Sequence, residues 1–189
     1  KLWSLKDHGK SFDEIKRINN SKDKHSFKWL HNEVGSNCRL TEMQSAIGRV
    51  QLKKLDETNK IRGRNANILL KYLKNNPLIR IPLPPNDFVH AWYKFYVFLK
   101  EENMKPKIDR DKILKELNSI GIKSFSGSCS EIYLEECFKI RNLKPEKRLA
   151  NAKILGDTSL MFLVHQTITI EEMEKYASAI NNYLLGLTK

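Results

Sequence analysis

Apolar positions along this chain change period several times, and each change marks an element. From Met43 they recur at helical spacing through Ala46, Ile47, Val50 and Leu55, continue at Ile61, and extend through Ile68, Leu69, Tyr72 and Leu73. Thr41-Glu42-Met43-Gln44 opens this run as a capping box, in which the threonine hydroxyl accepts from the Gln44 amide while the glutamine side chain reaches back. Asn75-Asn76-Pro77 stops it. The spacing predicts a single helix of about 30 residues, roughly 45 Å long, with Gly48 and Gly63 as places for close packing or a bend.

Downstream the pattern alternates between strand and helix. Pro82-Leu83-Pro84-Pro85-Asn86 reads as an extended connector, and the aromatic and branched run from Ala91 to Leu99 as a strand. Asp109 caps a helix whose apolar face is Ile113, Leu114, Leu117 and Ile120, with Gly121 as its left-handed terminator. Residues 122–125 form a short second strand, 130–138 a short helix capped by Ser130, 145–155 a helix ended by Gly156, and 160–164 a third strand. Thr169-Ile170-Glu171-Glu172 is a second capping box, opening a helix with Met173, Tyr176, Ile180, Tyr183 and Leu187 on one face. Residues 1–34 are polar and aromatic, with a loop at 19–24 and no complete βαβ unit. The sum is an α+β chain with a small sheet covered by helices.

Composition narrows the setting more than the chemistry. At 189 residues and 40% hydrophobic content the chain can bury one sizeable core, as one large domain or one domain with a fragment of another. No apolar run approaches the roughly 18 to 20 residues that span a bilayer, and the opening residues lack the apolar centre of a signal peptide. Cys38, Cys129 and Cys137 are odd in number and follow no metal-ligand spacing, so neither a disulfide framework nor a zinc site is expected, and a reducing, cytoplasmic setting fits. The net charge of +12 attracts polyanions in general. Lys22, Lys24, Lys53, Lys54, Lys105 and Lys107 are nevertheless scattered, without the interleaved aromatics of a nucleic-acid recognition motif, and read as a solvated surface.

By spacing alone no catalytic motif is visible: there is no phosphate-cradling glycine loop, His-x-x-x-His pair or serine elbow. The best local site is Gly35-Ser36-Asn37-Cys38-Arg39, just before the long helix, where free amides at a helix start attract anions and Asn37 and Arg39 add donors. Phosphate binding is one reading of that turn. A local turn bond at Asn37 and a surface ion pair at Arg39 are the other.

The run Gly35-Ser36-Asn37-Cys38-Arg39-Leu40-Thr41-Glu42-Met43-Gln44-Ser45-Ala46-Ile47-Gly48-Arg49-Val50-Gln51-Leu52-Lys53-Lys54-Leu55 closely resembles the DegT/DnrJ/EryC1/StrS family of sugar aminotransferases. Further resemblances follow in the family's order: Asp7-His8-Gly9-Lys10, His90-Ala91-Trp92-Tyr93-Lys94-Phe95, Gly121-Ile122 before Phe125 to Glu135, and Ser159 to His165. They imply the small C-terminal domain of the aspartate-aminotransferase type, pyridoxal-phosphate fold type I, with a long linking helix and a small, mainly antiparallel sheet covered by helices. Residues 1–35 are then the end of the large cofactor domain, and 36–189 the linking helix and small domain.

The same resemblance implies a homodimer with shared active sites, in which Asn37 reaches the phosphate of the pyridoxal 5'-phosphate held by the neighbouring subunit. Arg39 either contacts a phosphorylated ligand or pairs with an acid to fix the turn. Cys38 stands where relatives usually carry an aromatic residue, and reads as a small buried side chain rather than a reactive thiol. His90 matches a histidine near the relatives' active site, where it donates to a sugar hydroxyl or diphosphate, or else simply ends the strand. The aromatics Trp92, Tyr93, Phe95, Tyr96 and Phe98 read as sheet core. In the Ser126-Gly127-Ser128-Cys129-Ser130-Glu131 loop, a flexible glycine among hydroxyls, Ser126 and Ser128 are sugar-contact candidates, and Tyr133 is another. His8 and His165 are expected to be structural.

The lysine that bears the cofactor, and the carboxylate on its ring nitrogen, lie in the family upstream of the segment matching Lys1. The chain alone is therefore expected to contain no catalytic residue, to retain no cofactor and to be inactive. The parent protein is expected to transfer an amino group, from glutamate, to a keto group on a nucleotide-linked sugar destined for surface polysaccharides or antibiotic sugars. Two other readings stand beside this one: a non-catalytic dimerisation or regulatory module built on the apolar-striped helix, and a basic polyanion-binding domain.

Overall fold

The structure is a computed structural model that describes residues 1–20 and 30–189. Ser21 to Lys24, in the loop expected at 19–24, lie outside the described residues. The chain divides into two compact units, Lys1–Lys54 and Leu55–Lys189.

The first unit holds helices α1 (Leu2–Lys6) and α2 (Phe12–Asn19), and residues 30–41 run without helix up to the start of the next one. Ser11 caps α2 by accepting from the Glu14 amide at 3.3 Å. Helix α3 (Glu42–Leu73, 32 residues) crosses the boundary between the units. Its capping box forms as expected, with the Thr41 amide donating to Gln44 Oε1 at 3.0 Å and the Gln44 amide to Thr41 Oγ at 3.2 Å.

In the second unit, strands β1 (Ile79–Arg80), β2 (Phe95–Leu99), β3 (Ser124–Phe125) and β4 (Ser159–Phe162) make one antiparallel sheet in the order β1-β2-β4-β3. Central β4 is buried at every residue, whereas β2 alternates, with Phe95, Val97 and Leu99 in the core and Tyr96 and Phe98 on the opposite face. Three helices pack on that core: Leu69 and Leu73 of α3, Ile113 and Leu117 of α4 (Arg110–Ser119), and Met173, Ala177, Ile180 and Leu184 of the C-terminal helix, with Leu78, Met104, Ile122 and Val164 added from the connections. Asp109 caps α4 by accepting from the Lys112 amide at 2.8 Å, and Gly121, at φ +84°, ends it in the left-handed conformation. The second capping box also forms, with the Glu172 amide donating to Thr169 Oγ and the glutamate carboxylate accepting from Thr169.

Several local expectations are revised. The strand expected from Ala91 begins only at Phe95, because Trp92 takes φ +47° and breaks the ladder, its ring stacking on Phe95 at 5.5 Å. The helix expected over 130–138 is split into a 3-10 turn at Ile132–Leu134 and α5 (Glu136–Ile140), and Ser130 caps neither. Helix α6 (Ala150–Thr158) starts later than expected and runs through Gly156, so that glycine is no terminator. Gly48 and Gly63 face open space among the described residues, and so serve no close packing here. The N-terminal part of the α3 stripe, Met43, Ile47 and Val50, is exposed. The C-terminal helix is α7 (Ile170–Leu185).

Two polar clusters hold this unit together. Asn65 on α3 is fully buried; its amide donates to the His165 carbonyl at 3.0 Å and its carbonyl accepts from Arg64 Nε and Nη2 at 3.1 and 2.9 Å. Arg64 in turn donates to the Ile168 carbonyl at 3.1 Å, so the loop between β4 and α7 is stitched to α3. In the excursion between β3 and α6, Arg148 forks onto Glu131 at 2.7 and 2.6 Å, and the Tyr133 hydroxyl donates to Glu131 at 2.6 Å while accepting from the Leu149 amide at 3.0 Å. The hydrogen bonds from Arg148 and then Tyr133 lower the Glu131 carboxyl to about 2.

Replacing Asn65 with Leu keeps the volume but strands the His165 carbonyl and the Arg64 guanidinium, at a cost of about 2 to 4 kcal/mol. Urea unfolding of the chain followed by circular dichroism measures it, and an unchanged midpoint would contradict the assignment. The folded state favours the Glu131 carboxylate, so its contribution is full above the ordinary carboxylate range and fades as pH falls toward 2. The Tm difference between wild type and Glu131→Gln is therefore expected to be largest above about pH 5 and to vanish near about pH 2. A difference that is flat across that range would remove Glu131 as the clasp.

Candidate functional site

The residues singled out from sequence fall in three places, one in the first unit and two in the second. In the first unit, Gly35 to Cys38 lie extended beside Leu5 to Gly9. The Ser36 amide donates to the Leu5 carbonyl at 2.8 Å, the His8 amide to Ser36 at 3.1 Å and the Cys38 amide to Lys6 at 2.9 Å, with a bridge between Asp7 and Asn37. Two glycines make this approach feasible. A Cβ on Gly9, at φ +78°, would fall 1.7 Å from the Glu33 carbonyl oxygen, and one on Gly35 would fall 2.2 Å from the Gly9 nitrogen.

This arrangement corrects the idea of free helix-start amides at the turn. The helix begins only at Glu42, the Ser36 and Cys38 amides are spent on the backbone pairing, and Thr41 takes the Gln44 amide. What remains for an anion is side-chain chemistry. Asn37 is exposed and makes no side-chain hydrogen bond among the described residues. Arg39, half exposed, lies 3.4 Å from Asp7, which Lys10 also approaches at 3.4 Å. The ion-pair reading of Arg39 is thus the one seen in the chain. Asp7, only 7% exposed at its side chain, receives no role from the sequence beyond its place in a segment marked by resemblance; the available signal is a lone acid among basic neighbours. Cys38 is exposed, not buried as expected.

The second place surrounds His90. A cleft of about 720 Å³ is lined by Asp56, Asn59, Lys60 and Gly63 of α3 and by Phe88 to Trp92. The Trp92 amide donates to His90 Nδ1 at 2.8 Å, and the two rings lie 4.3 Å apart. With Nδ1 accepting, the neutral imidazole carries its proton on Nε2. His90 therefore presents a donor, beside the Asn59 carboxamide and the Lys60 ammonium, as a hydroxylated or anionic ligand requires.

The third place is the loop after β3. The Ser126 carbonyl accepts from Ser159 Oγ at 2.6 Å, and the Ser128 amide donates to the Tyr96 hydroxyl at 3.2 Å. Tyr133 uses its hydroxyl both as donor to Glu131 and as acceptor from Leu149, so within the chain it holds the excursion rather than facing outward. Ser126, Ser128 and Tyr133 thus share one segment, while His90 lines a different cleft. Tyr96 was assigned to the sheet core, yet strand alternation, readable from Phe95 and Val97, turns it to the loop. His165 pairs with Thr167 at 2.8 Å, and among the described residues no group of three His, Cys, Asp or Glu side chains has the geometry to hold a metal. No helix among the described residues is long and apolar enough to cross a membrane.

Comparison with known proteins places this geometry. The chain is similar to the aminotransferase of Psychrobacter cryohalolentis, with 38% identity and a TM-score of 0.84 over 98% of this chain and 48% of that one. It is 26% identical to the dTDP-3-amino-3,6-dideoxy-alpha-D-galactopyranose transaminase of Aneurinibacillus thermoaerophilus over 79% of this chain and 38% of that protein. The GDP-4-keto-6-deoxy-D-mannose-3-dehydratase of E. coli, solved with bound hydrated pyridoxal phosphate, shares the fold at 22% identity and a TM-score of 0.73, over 97% of this chain and 46% of the other. The chain thus spans half or less of the length of these relatives. Its architecture is that of the α+β part of pyridoxal-phosphate fold type I enzymes. The sequence model of the DegT/DnrJ/EryC1/StrS aminotransferase family matches residues 2–181, and the chain belongs to that family.

Proposed function

We propose that the protein to which these residues belong is a pyridoxal-phosphate-dependent transferase that moves an amino group, from glutamate, onto a keto group of a nucleotide-linked sugar. Family membership and the names of the transaminase and dehydratase relatives support the cofactor and the sugar-nucleotide class. When bound, pyridoxal phosphate supplies the electron sink for amino-group transfer. The observation that carries the assignment of these residues is Asn37, an exposed carboxamide with no side-chain hydrogen bond among the described residues, on a segment locked by the contact of Gly9 with Gly35.

A carboxamide donor suits a phosphate dianion, because a hydrogen bond to a charged acceptor is roughly twice as strong as a neutral one. The Asp7 pairing holds Arg39 beside it, adding positive potential. In this reading residues 1–35 close the cofactor domain and 36–189 form the linking helix and small domain. Met43, Ile47 and Val50, exposed along α3, support a second subunit that shares the active sites. His90, Ser126 and Ser128 supply polar contacts to the sugar nucleotide from the small domain. Tyr133 contributes by holding the excursion together. In the same reading the reaction is cytoplasmic and supplies amino sugars for surface polysaccharides, lipopolysaccharides or antibiotic sugars.

In this reading the cofactor-bearing lysine lies upstream of these residues, so the 189 residues alone are expected to be inactive. Incubating them with pyridoxal phosphate, glutamate and nucleotide-linked keto sugars should give no turnover; rates comparable with an intact relative would overturn this. In the whole protein, Asn37→Ala is expected to weaken cofactor retention by roughly 10- to 100-fold, the effect of losing one hydrogen bond to a charged group. Absorbance of the bound cofactor during dialysis reads the loss, and unchanged retention would refute the phosphate role of Asn37.

A further inference from the structure

The loop from Ser126 to Ser130 has the composition of a flexible segment, yet the chain fixes it at three successive points. At the first, Ser159 of β4 donates its hydroxyl proton to the Ser126 carbonyl at 2.6 Å. At the second, Gly127 takes φ +93° and lies against the Tyr96 ring so closely that a Cβ there would come within 2.4 Å of Cε1 and 2.8 Å of the hydroxyl oxygen. The backbone conformation favours glycine at that position, and any side chain there would displace the Tyr96 ring from beneath the loop. The Tyr96 hydroxyl then accepts from the Ser128 amide at 3.2 Å and stands 3.5 Å from Ser128 Oγ. At the third, the Ser130 side chain fills the space where a Cβ on Gly156 of α6 would sit, 2.0 Å from its Oγ.

Tyr96 reaches this loop because β2 alternates. Phe95 and Val97 point into the core and anchor the strand, which leaves Tyr96 on the other face, against the loop. Ser159 stands on β4, which pairs with β2 in the register Tyr96 to Met161 and Phe98 to Ser159. The two side chains that hold the loop therefore come from the two central strands of the sheet, which pair with each other, and a loop held from such strands is placed more firmly than one held from another loop. With its amide tied to Tyr96, the Ser128 backbone is fixed, and its hydroxyl keeps only the long 3.5 Å approach to Tyr96 among the described residues.

Resting on the reading that Ser128 contacts the nucleotide-linked sugar, we infer that Tyr96 is a positioning residue for that contact. It holds Ser128 so that its hydroxyl meets one hydroxyl or phosphoryl oxygen of the ligand without first ordering the loop. A flexible loop would lose conformational freedom on binding, and a loop already seated does not.

The test uses the whole protein with its cofactor, and dTDP-glucose, GDP-mannose and UDP-glucose as binding probes in isothermal titration calorimetry. With the tightest of the three, Tyr96→Phe, which keeps the ring under Gly127 and removes the hydroxyl, is expected to bind roughly 3- to 10-fold more weakly, as for one neutral hydrogen bond. Cofactor content and Tm should stay at wild-type values while amide exchange at Ser128 speeds up. Ser128→Ala should weaken the same probe, and the double variant should be no weaker than the worse single one. If Ser128→Ala weakens binding and Tyr96→Phe does not, the inference fails and the role of Ser128 stands. Should Ser128→Ala be silent, or no probe bind the unaltered protein, the substrate reading of Ser128 fails and this inference goes with it. A Tyr96→Phe variant that loses cofactor or Tm along with affinity shows a general structural role and also overturns it.

Discussion

A carboxamide with no exposure inside a long helix must find partners in the protein, and the partners that Asn65 finds determine how the rest of its unit assembles. Its amide takes the His165 carbonyl just past β4, and its carbonyl is taken by Arg64, which also reaches Ile168. Once those bonds form, the end of the central strand and the cap of α7 are held at one level of α3. Leu69 and Leu73, one and two turns further along, then meet the core at the height where Phe95, Phe162 and Met173 converge. The hydrophobic contacts supply most of the free energy, but apolar packing tolerates sliding. The geometry of a buried carboxamide does not, because a small shift leaves a polar group unpaired.

A second constraint recurs in both units: backbone and side chain approach where only glycine leaves room. Gly9 and Gly35 bring two backbone segments together, and Asn37 follows two residues later. Gly127 admits the ring of Tyr96, and Gly156 admits the side chain of Ser130. In each case the missing side chain sets the position of a neighbouring polar residue, without any strong bond of its own. Preorganisation of this kind lowers the ordering cost when a ligand arrives, and two of the residues carrying proposed contacts, Asn37 and Ser128, are placed by glycines in this way.

What could be read from the sequence follows the range of the interaction involved. Both capping boxes, the Asp109 cap and the Gly121 terminator depend on residues within a few positions of one another, and all form where the pattern places them. The long helix and the presence of a small sheet follow from periodicity in the same way, whereas the antiparallel arrangement follows from the family resemblance. The errors come from contacts distant in sequence. Gly156 looks like a helix stop by propensity, but it stays helical and serves Ser130, 26 positions earlier. Ser130 has the chemistry of a cap and is used for packing. Trp92 suits a strand by type, yet its left-handed backbone, with His90 accepting from its amide, delays β2 to Phe95. Asp7 could be seen to match Lys10, but its pairing with Arg39 required the fold.

The electrostatic character of the chain also becomes more specific at this level. A net charge of +12 describes a diffuse field that attracts any polyanion. In the first unit, however, Arg39 and Lys10 converge on Asp7, so part of the local positive charge is spent on holding the segment in place. Asn37, neutral and without a side-chain hydrogen bond among the described residues, is the group proposed to make the directional contact. A neutral donor on a rigid strand recognises an anion by geometry, while the surrounding charge raises the chance of encounter. Selectivity for a phosphate over the many other anions such a basic surface meets would therefore reside in the placement of one carboxamide, and that placement depends on two glycines.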